Sequence, residues 1–421
     1  MLNQQSINGL ATNNSFKNCA TALYGAENFN LQVERYTNLY NHHKNLYCAD
    51  AMFFSSPGRI EVCGNHTDHN NGKVLCASIT VDTVACVTPS SKNEIIIDSI
   101  GFPVVKISLD NLTLNKKEYG TSEALVKGVV AYFIKNNYKI GGFTASTTSS
   151  VFKGAGVSSS ACFEVLVCEI LNTLYNNNKM DAITKAKASH YAESVYFGKP
   201  CGLMDQSAIA IGGVSYIDFK NTKQPKVEGI NWAFKGVDIV LINTGGDHCD
   251  LTDDYASIRL EMEQVAQELG KNKLRKVSEK VFYDNLVTLQ TKVSGRAILR
   301  AMHFFEENKR VDKCAKAIKK GQFKGFAKCI NESGESSYKL LQNCYSAKDV
   351  KQRIPLALAI SKKNAGVLAI RVHGGGFMGT AIAYVNSAST QNYVSDMKKV
   401  FGNENVFVIG VRNFGACQVE I

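Results

Sequence analysis

The spacing of apolar residues predicts helices at the start of the chain and strands after them. Between residues 20 and 50 apolar positions recur every three or four residues, the period of an amphipathic helix. From 52 to 110 the pattern changes to short β-branched runs, such as 81–87 and 95–97, separated by turn residues. We therefore predict a helical N-terminal segment followed by a sheet.

The remainder of the chain mixes helices and strands without regular alternation. Helices are predicted at 125–134, 161–175, 181–196, 253–269 and over most of 277–345, and strands at 143–150, 237–243, 367–370 and 380–385. Because this order lacks repeated βαβ units, we predict an α+β fold rather than a doubly wound sheet. The weakly patterned stretch 220–235 indicates a boundary between two domains, residues 1–228 and 229–421.

Composition is that of an ordinary globular protein. The 421 residues are 45% hydrophobic and 20% charged, which excludes disordered, collagen-like and coiled-coil proteins. No apolar run approaches the roughly 20 residues that span a bilayer. The polar, Asn-rich residues 1–18 show no signal-peptide pattern, so we expect no membrane association.

The net charge and the cysteine content indicate which binding partners and which cellular compartment to expect. The net charge of +11 favours anionic ligands, including nucleotides. The lysines are scattered along the chain, so we expect no nucleic-acid partner. The 13 cysteines include no C-x-x-C pair, which indicates free thiols in a reducing compartment, the cytoplasm.

Three glycine-bearing motifs carry most of the candidate chemistry. The first, SPGRIEVCGNHTDHNNG at 56–72, concentrates polar groups that suit a hydroxyl-rich ligand, although a polar turn is the alternative. The second, GAGVSSSA at 154–161, precedes a helix and could hold phosphate on its backbone N–H groups; a plain capped glycine loop is the alternative. The third, HGGGFMG at 373–379, allows close backbone approach to a ligand or to other backbone.

Together with PCGLMDQ at 200–206, these motifs resemble in kind and order those of the GHMP kinases, and among them the galactokinases. The resemblance extends from about residue 24 to residue 421, with Met378 where the family usually has Gly. It implies an N-terminal domain similar to ribosomal protein S5 domain 2, a ferredoxin-like C-terminal domain, and an active site between them. The activity it implies is ATP-dependent phosphorylation of the C1 hydroxyl of galactose, giving galactose 1-phosphate and ADP.

The resemblance also implies a role for individual motif residues. Asp205 is the expected catalytic carboxylate, which takes the proton of the anomeric hydroxyl, and Arg59 is expected beside it. The ATP phosphates are expected at Gly154, Ala155, Gly156, Val157, Ser158, Ser159 and Ser160. The expected ligands of Mg²⁺ are Ser160 and Glu193. The sugar is expected at Asn65, His66, Thr67, Asp68, Gly202 and Tyr255.

The sequence departs from the family pattern at several positions that are expected near the sugar. The family's Asn and Glu, four residues apart, appear here in reverse as Glu61 and Asn65, and His69 and residues 245–248 also differ. If the pair has only swapped positions, Glu61 contacts the sugar and galactose remains the substrate. Loss of the Glu would also tolerate a carboxylate at C6, so galacturonate or another sugar is an alternative. No Lys or Arg is gained beside Asn65 to bind such a carboxylate.

A non-catalytic sugar sensor is an alternative from a different functional class. Known sensors related to galactokinases lack the Ser-Ala of the phosphate loop, whereas Ser160 and Ala161 are present here. We therefore expect an enzyme, monomeric, with a small sugar and ATP as its partners.

Overall fold

The computed structural model describes residues 3–48, 50–151, 156–199, 201–245, 252–346, 349–377 and 379–421. Parts of the predicted site lie outside the described residues: Gly154, Ala155, Pro200, residues 246–248 and Met378.

Two sheets organise the molecule. The strands in chain order are β1 (Met52–Cys63), β2 (Lys73–Ser90), β3 (Glu94–Ser99), β4 (Val105–Ser108), β5 (Gly142–Ser149), β6 (Val214–Asp218), β7 (Lys226–Ile230), β8 (Val237–Asn243), β9 (Val367–His373), β10 (Thr380–Asn386), β11 (Val406–Ile409) and β12 (Cys417–Val419). The larger sheet has the order β12-β1-β2-β5-β3-β4, with β6 also on β2 and β7 on β6, and the smaller has the order β11-β8-β10-β9. Among the described strands only β3 and β5 pair in parallel, so the α+β class is confirmed.

Helices cover the sheets and link them. In chain order they are α1 (Gln4–Asn8), α2 (Asn14–Tyr24), α3 (Phe29–Tyr47), α4 (Ser122–Lys135), α5 (Ser159–Asn176), α6 (Ala182–Tyr191), α7 (Met204–Ile211), α8 (Thr252–Glu268), α9 (Glu279–Asp284), α10 (Leu286–Lys292), α11 (Gly295–Lys319), α12 (Phe323–Ser336), α13 (Arg353–Lys363) and α14 (Thr390–Phe401). The predicted helices and strands all have counterparts here. No helix in the described part of the chain is long and apolar enough to cross a bilayer.

One apolar core joins the two halves of the chain. Ile60 of β1, Leu241 of β8 and Phe326 of α12 belong to the same buried cluster. The chain also returns at its end to the first sheet, where β12 pairs with β1 in an antiparallel register. The two halves therefore bury apolar surface against each other, which fixes their relative position.

The stretch at 220–235 contains a strand that the sequence analysis did not predict. β7 pairs with β6 and thus belongs to the first sheet, and the predicted domain boundary at 228/229 falls inside it. Most side chains of β7 are exposed, so the strand lacks the apolar pattern that marks a buried one. The division into two domains remains a prediction.

Candidate active site

An ion pair between two motifs forms the centre of the candidate site. Arg59 on β1 donates from Nε and Nη2 to the two carboxylate oxygens of Asp205, both at 2.7 Å. Its Nη1 donates to the carbonyl of Gly156 in the glycine loop. A bulge in β1 between Pro57 and Arg59 redirects the strand here, and the Arg59 N–H donates to the Val157 carbonyl at 3.2 Å. Strand, loop and the first turn of α7 therefore converge on one carboxylate.

The surroundings of Asp205 keep its carboxyl group ionised. Burial alone would raise the pKa of Asp205, but the Arg59 guanidinium and hydrogen bonds from Arg59 and Ser158 outweigh it, so the pKa lies below its ordinary value. The Asp205 side chain is 30% exposed, whereas that of Arg59 is 7% exposed. A charged and accessible acceptor is thus available to a ligand at pH 7.

The described part of the glycine loop leads directly into α5. Gly156 and Ser158 have positive φ angles of 68° and 62°, and Val157 between them is buried. Ser159 and Ser160 form the first turn of α5. Backbone N–H groups in a first turn have no intrahelical partner and attract anions. This geometry suits a phosphate group.

Side-chain oxygens of Ser160 and Glu193 lie beside that helix start. Ser160 Oγ donates to Glu193 Oε1 at 3.0 Å, and the other Glu193 oxygen accepts from Gln206 at 2.6 Å. Lys199 also donates to Glu193 Oε1 at 3.0 Å. Glu164, one turn beyond Ser160, is buried, and its Oε1 has no hydrogen-bond partner among the described residues. Hard oxygen donors of this kind fit Mg²⁺, which usually takes one or two protein oxygens and fills its other positions with phosphate and water.

Asp68 and Gly202 meet near Asp205. A Cβ on Gly202 would lie 1.7 Å from Oδ2 of Asp68, so only glycine allows this approach. Burial and the negative charge of Asp205 raise the pKa of Asp68 to about 6. Two carboxylates of different proton affinity therefore border the space for a ligand.

His66 and Tyr255 contact the third glycine motif. Nε2 of His66 lies 3.0 Å from the Gly375 carbonyl, and the Tyr255 hydroxyl donates to the Gly376 carbonyl at 2.8 Å. The Tyr255 ring also lies over Gly375, where an added Cβ would come within 2.4 Å of it. Burial lowers the pKa of His66 to about 4, so its ring is neutral at pH 7 and donates from Nε2. Both residues connect elements around the site, and their contact with a sugar remains a prediction.

The side chains of Glu61 and Asn65 hydrogen-bond to each other, and their proposed exchange of roles stays a prediction. Asn65 Nδ2 donates to Glu61 Oε1 at 3.0 Å, and Arg371 Nη2 donates to the same oxygen at 2.5 Å. The Asn65 amide also donates to the Gly374 carbonyl at 2.7 Å and accepts from Asn343 at 2.8 Å. Both side chains are buried. These contacts support a positioning role between the first and third motifs, and direct contact with a sugar stays a prediction.

Helix α11 supplies positioning residues that sequence reasoning missed. Glu307 accepts the backbone N–H groups of Gly64 at 2.9 Å and Asn65 at 3.3 Å. Nε2 of His303 lies 2.9 Å from the Asn65 carbonyl. The Thr67 hydroxyl is likewise buried and donates to the Gly64 carbonyl at 2.9 Å, so it shapes the turn. The available signal was a His and a Glu four residues apart in a predicted helix, where they fall on one face.

We expect Glu61→Gln to destabilise the protein. Arg371 is fully buried, and a buried charge that loses its partner typically costs roughly 3–5 kcal/mol. Urea unfolding of parent and variant measures the loss. Glu228→Gln, which breaks an exposed pair with Lys319, is the control and should leave the midpoint nearly unchanged. An unchanged midpoint for Glu61→Gln, with a raised KM for the sugar, would instead make Glu61 a sugar ligand.

Comparison with known proteins identifies the class and then the family. Residues 124–213 match the GHMP kinases N terminal domain, and residues 41–89 match the galactokinase galactose-binding signature. The mevalonate kinase of Methanococcus jannaschii superposes with a TM-score of 0.62 over 86% of this chain and 98% of its own, at 16% identity. The galactokinase of Lactococcus lactis, solved in complex with galactose, superposes with a TM-score of 0.80 over 91% of this chain and 100% of its own, at 25% identity.

Sequence relatives agree with the structural comparison. The galactokinase of Pyrococcus furiosus is 32% identical over 79% of this chain and 88% of its own length, and that of Clostridium tetani is 29% identical over 84% and 88%. Fold and motifs thus define a GHMP kinase, which confirms the predicted class. Within that class, the chain belongs to the galactokinase family.

Proposed function

We propose that this chain transfers the γ-phosphoryl group of ATP to the C1 hydroxyl of galactose, giving galactose 1-phosphate and ADP. The observation that carries the proposal is the Arg59–Asp205 pair, which contacts the glycine loop before α5 and lies near Asp68. Membership of the galactokinase family supports the choice of substrates.

In the proposed reaction Asp205 receives the proton of the C1 hydroxyl. The hydroxyl oxygen forms a bond to the γ-phosphorus, the bond from that phosphorus to the β,γ-bridging oxygen breaks, and ADP leaves with its electron pair. Arg59 keeps Asp205 ionised and places positive charge next to the phosphoryl group as it transfers. Because phosphoryl transfer depends chiefly on positioning and charge neutralisation, these two side chains contribute a positioned proton acceptor and a neutralising charge.

The proposal assigns Mg²⁺ to Ser160 and Glu193. When bound, Mg²⁺ neutralises negative charge on the nucleotide phosphates. Ser160 supplies a hydroxyl oxygen, and Gln206 fixes the Glu193 carboxylate from the other side.

The proposed setting is a monomer in the cytoplasm. The described cysteines are free thiols, and most of them are buried, which suits a reducing compartment. Size-exclusion chromatography with light scattering would measure the oligomeric state.

Sugar-dependent ADP release tests the function. Galactose should release ADP from ATP, and 1-deoxygalactose, which lacks the reacting hydroxyl, should not. Galactose binding without ADP release would instead support the non-catalytic sensor. The Arg59–Asp205 ion pair, which is assembled in this structure, argues against a sensor.

We expect Ser160→Ala to shift the Mg²⁺ requirement more than it shifts the KM for galactose. The hydroxyl lies 3.0 Å from Glu193 and is assigned to the metal rather than to the sugar. Titration of activity against Mg²⁺ measures the shift. Ser159→Ala, one residue earlier in the same turn, is the matched control. If the two variants show the same Mg²⁺ curve as the parent, Ser160 only shapes the helix start.

A further inference from the structure

Lys199 contacts the carboxylate that the proposed reaction assigns to the metal. Its ammonium nitrogen donates to Oε1 of Glu193 at 3.0 Å. The Ser160 hydroxyl donates to the same oxygen, also at 3.0 Å, whereas Oε2 accepts from Gln206. Among the described residues, Lys199 is the one cation within ion-pair distance of Glu193. A positive charge of the protein therefore already lies at the oxygen that is proposed to bind Mg²⁺.

The backbone places Lys199 on the solvent side of Glu193. The Lys199 N–H donates to the Glu193 carbonyl at 3.1 Å, shortly after the helical turn Ala192–Tyr196 that follows α6. The Glu193 side chain is 3% exposed, whereas that of Lys199 is 59% exposed. The lysine thus reaches a buried carboxylate from outside, and its long side chain can turn away into solvent without unpacking the core.

The surroundings of Glu193 make a cation at this position valuable. Glu164 is buried as well, and the Gln206 amide nitrogen donates to both acidic groups, at 2.6 Å to Glu193 and 3.4 Å to Glu164. A buried carboxylate is costly unless a cation or hydrogen-bond donors balance its charge. Lys199 supplies that balancing charge to Glu193, as a bound metal ion also would.

The ammonium group of Lys199 and a metal ion on the same oxygen would repel each other. Mg²⁺ binds its oxygen ligands at about 2.0–2.1 Å. With Lys199 at 3.0 Å from Oε1 of Glu193, the two cations would lie within roughly 5 Å of each other. Coulomb repulsion between a double and a single positive charge at that distance opposes simultaneous binding. Metal binding at Glu193 is therefore linked to loss of the Lys199 contact.

We propose that Lys199 is a positioning residue that competes with Mg²⁺ for Glu193: it holds the carboxylate in place, and it turns toward solvent when the metal binds. The exchange keeps one cation at the buried carboxylate in both states. This inference rests on the proposed function, because it concerns the metal site assigned to that reaction. Lys199 lies directly before the motif at 200–206, so no recognised motif includes it.

The test measures thermal unfolding against Mg²⁺ concentration at a fixed concentration of ADP. Lys199→Met should lower the Mg²⁺ concentration that gives half of the stability gain by roughly 3–10-fold, because the competing charge is gone. Lys199→Gln, which keeps a hydrogen-bond donor without the charge, should shift in the same direction, and Lys199→Arg, which keeps the charge, should stay close to the parent. Without Mg²⁺, Lys199→Met should unfold at a lower temperature than the parent, because Glu193 has lost its cation.

The control is Lys179→Met, which removes an exposed lysine beyond the far end of α5 and should behave as the parent. Equal Mg²⁺ midpoints in the parent and Lys199→Met would overturn the inference, as would a parent that gains no stability from Mg²⁺. A higher Mg²⁺ midpoint in Lys199→Met would also overturn it, because the lysine would then assist binding. With any of these results, galactose-dependent ADP release by the parent would leave the proposed function intact. Absence of that release would contradict the proposed function, while the unfolding midpoints would still decide the inference.

Discussion

Asp205→Asn should lower turnover by roughly 10²–10⁴-fold, the usual contribution of a positioned proton acceptor. An amide has almost the same shape as the carboxylate, but it cannot take the proton of the sugar hydroxyl. It also places an NH₂ group or a neutral oxygen against Arg59, so the bidentate ion pair at 2.7 Å is lost. Steady-state ADP release with saturating ATP and galactose measures the effect, and circular dichroism checks that the variant is folded.

Ser158→Ala is the matched control for this experiment. It removes one hydrogen bond to Asp205 but keeps the carboxylate and its pair with Arg59. We expect a much smaller loss of turnover than for Asp205→Asn. A folded Asp205→Asn variant that turns over within a few-fold of the parent would remove Asp205 from the catalytic role.

Asp68→Asn should stabilise the protein while weakening its use of sugar. In the folded protein the pKa of Asp68 rises from its ordinary 3.8 to about 6, because of burial and the nearby charge of Asp205. Ionisation of Asp68 at neutral pH therefore costs up to roughly 3 kcal/mol of stability, which the neutral amide avoids. If Asp68 accepts a hydrogen bond from the sugar, its loss should raise the KM for galactose by roughly 10–150-fold.

The stability difference between Asp68→Asn and the parent should increase with pH. Below about pH 3 Asp68 is mostly protonated in both the folded and the unfolded protein, so parent and variant should unfold alike. As the pH rises to about 6, the unfolded chain ionises more readily than the folded one, and the advantage of the variant should grow to its full size. Thermal unfolding at pH 4.5 and pH 7.5 measures this difference. A variant that is less stable than the parent at pH 7.5 would contradict the proposed burial of the charge.

Periodicity predicted those elements whose side chains are buried on a regular face. The strand predicted at 237–243 matches β8, because its apolar run is buried between neighbouring strands and helices. β7 was not predicted, because exposed polar residues, including Lys226 and Glu228, make up much of the strand. Its pairing with β6 determines its structure, and a tertiary contact of that kind has no signature in the local sequence.

In the candidate site, too, the motif residues could be predicted from the sequence, whereas contacts between residues far apart along the chain could not. Arg59 and Asp205 were predicted to meet because their motifs resemble those of a known family. The burial of Glu61 against Arg371 was not predicted, because 310 positions separate the two residues.

The central claim is that this site phosphorylates the C1 hydroxyl of galactose, and the most direct test is to identify the product by phosphorus NMR. The parent enzyme, incubated with ATP, Mg²⁺ and galactose, should give galactose 1-phosphate and ADP in equal amounts, with the phosphorus coupled to the proton on C1. The Asp205→Asn variant should give neither product above a trace in the same time. Phosphate on a different hydroxyl, or ADP with free phosphate and no sugar phosphate, would contradict the account.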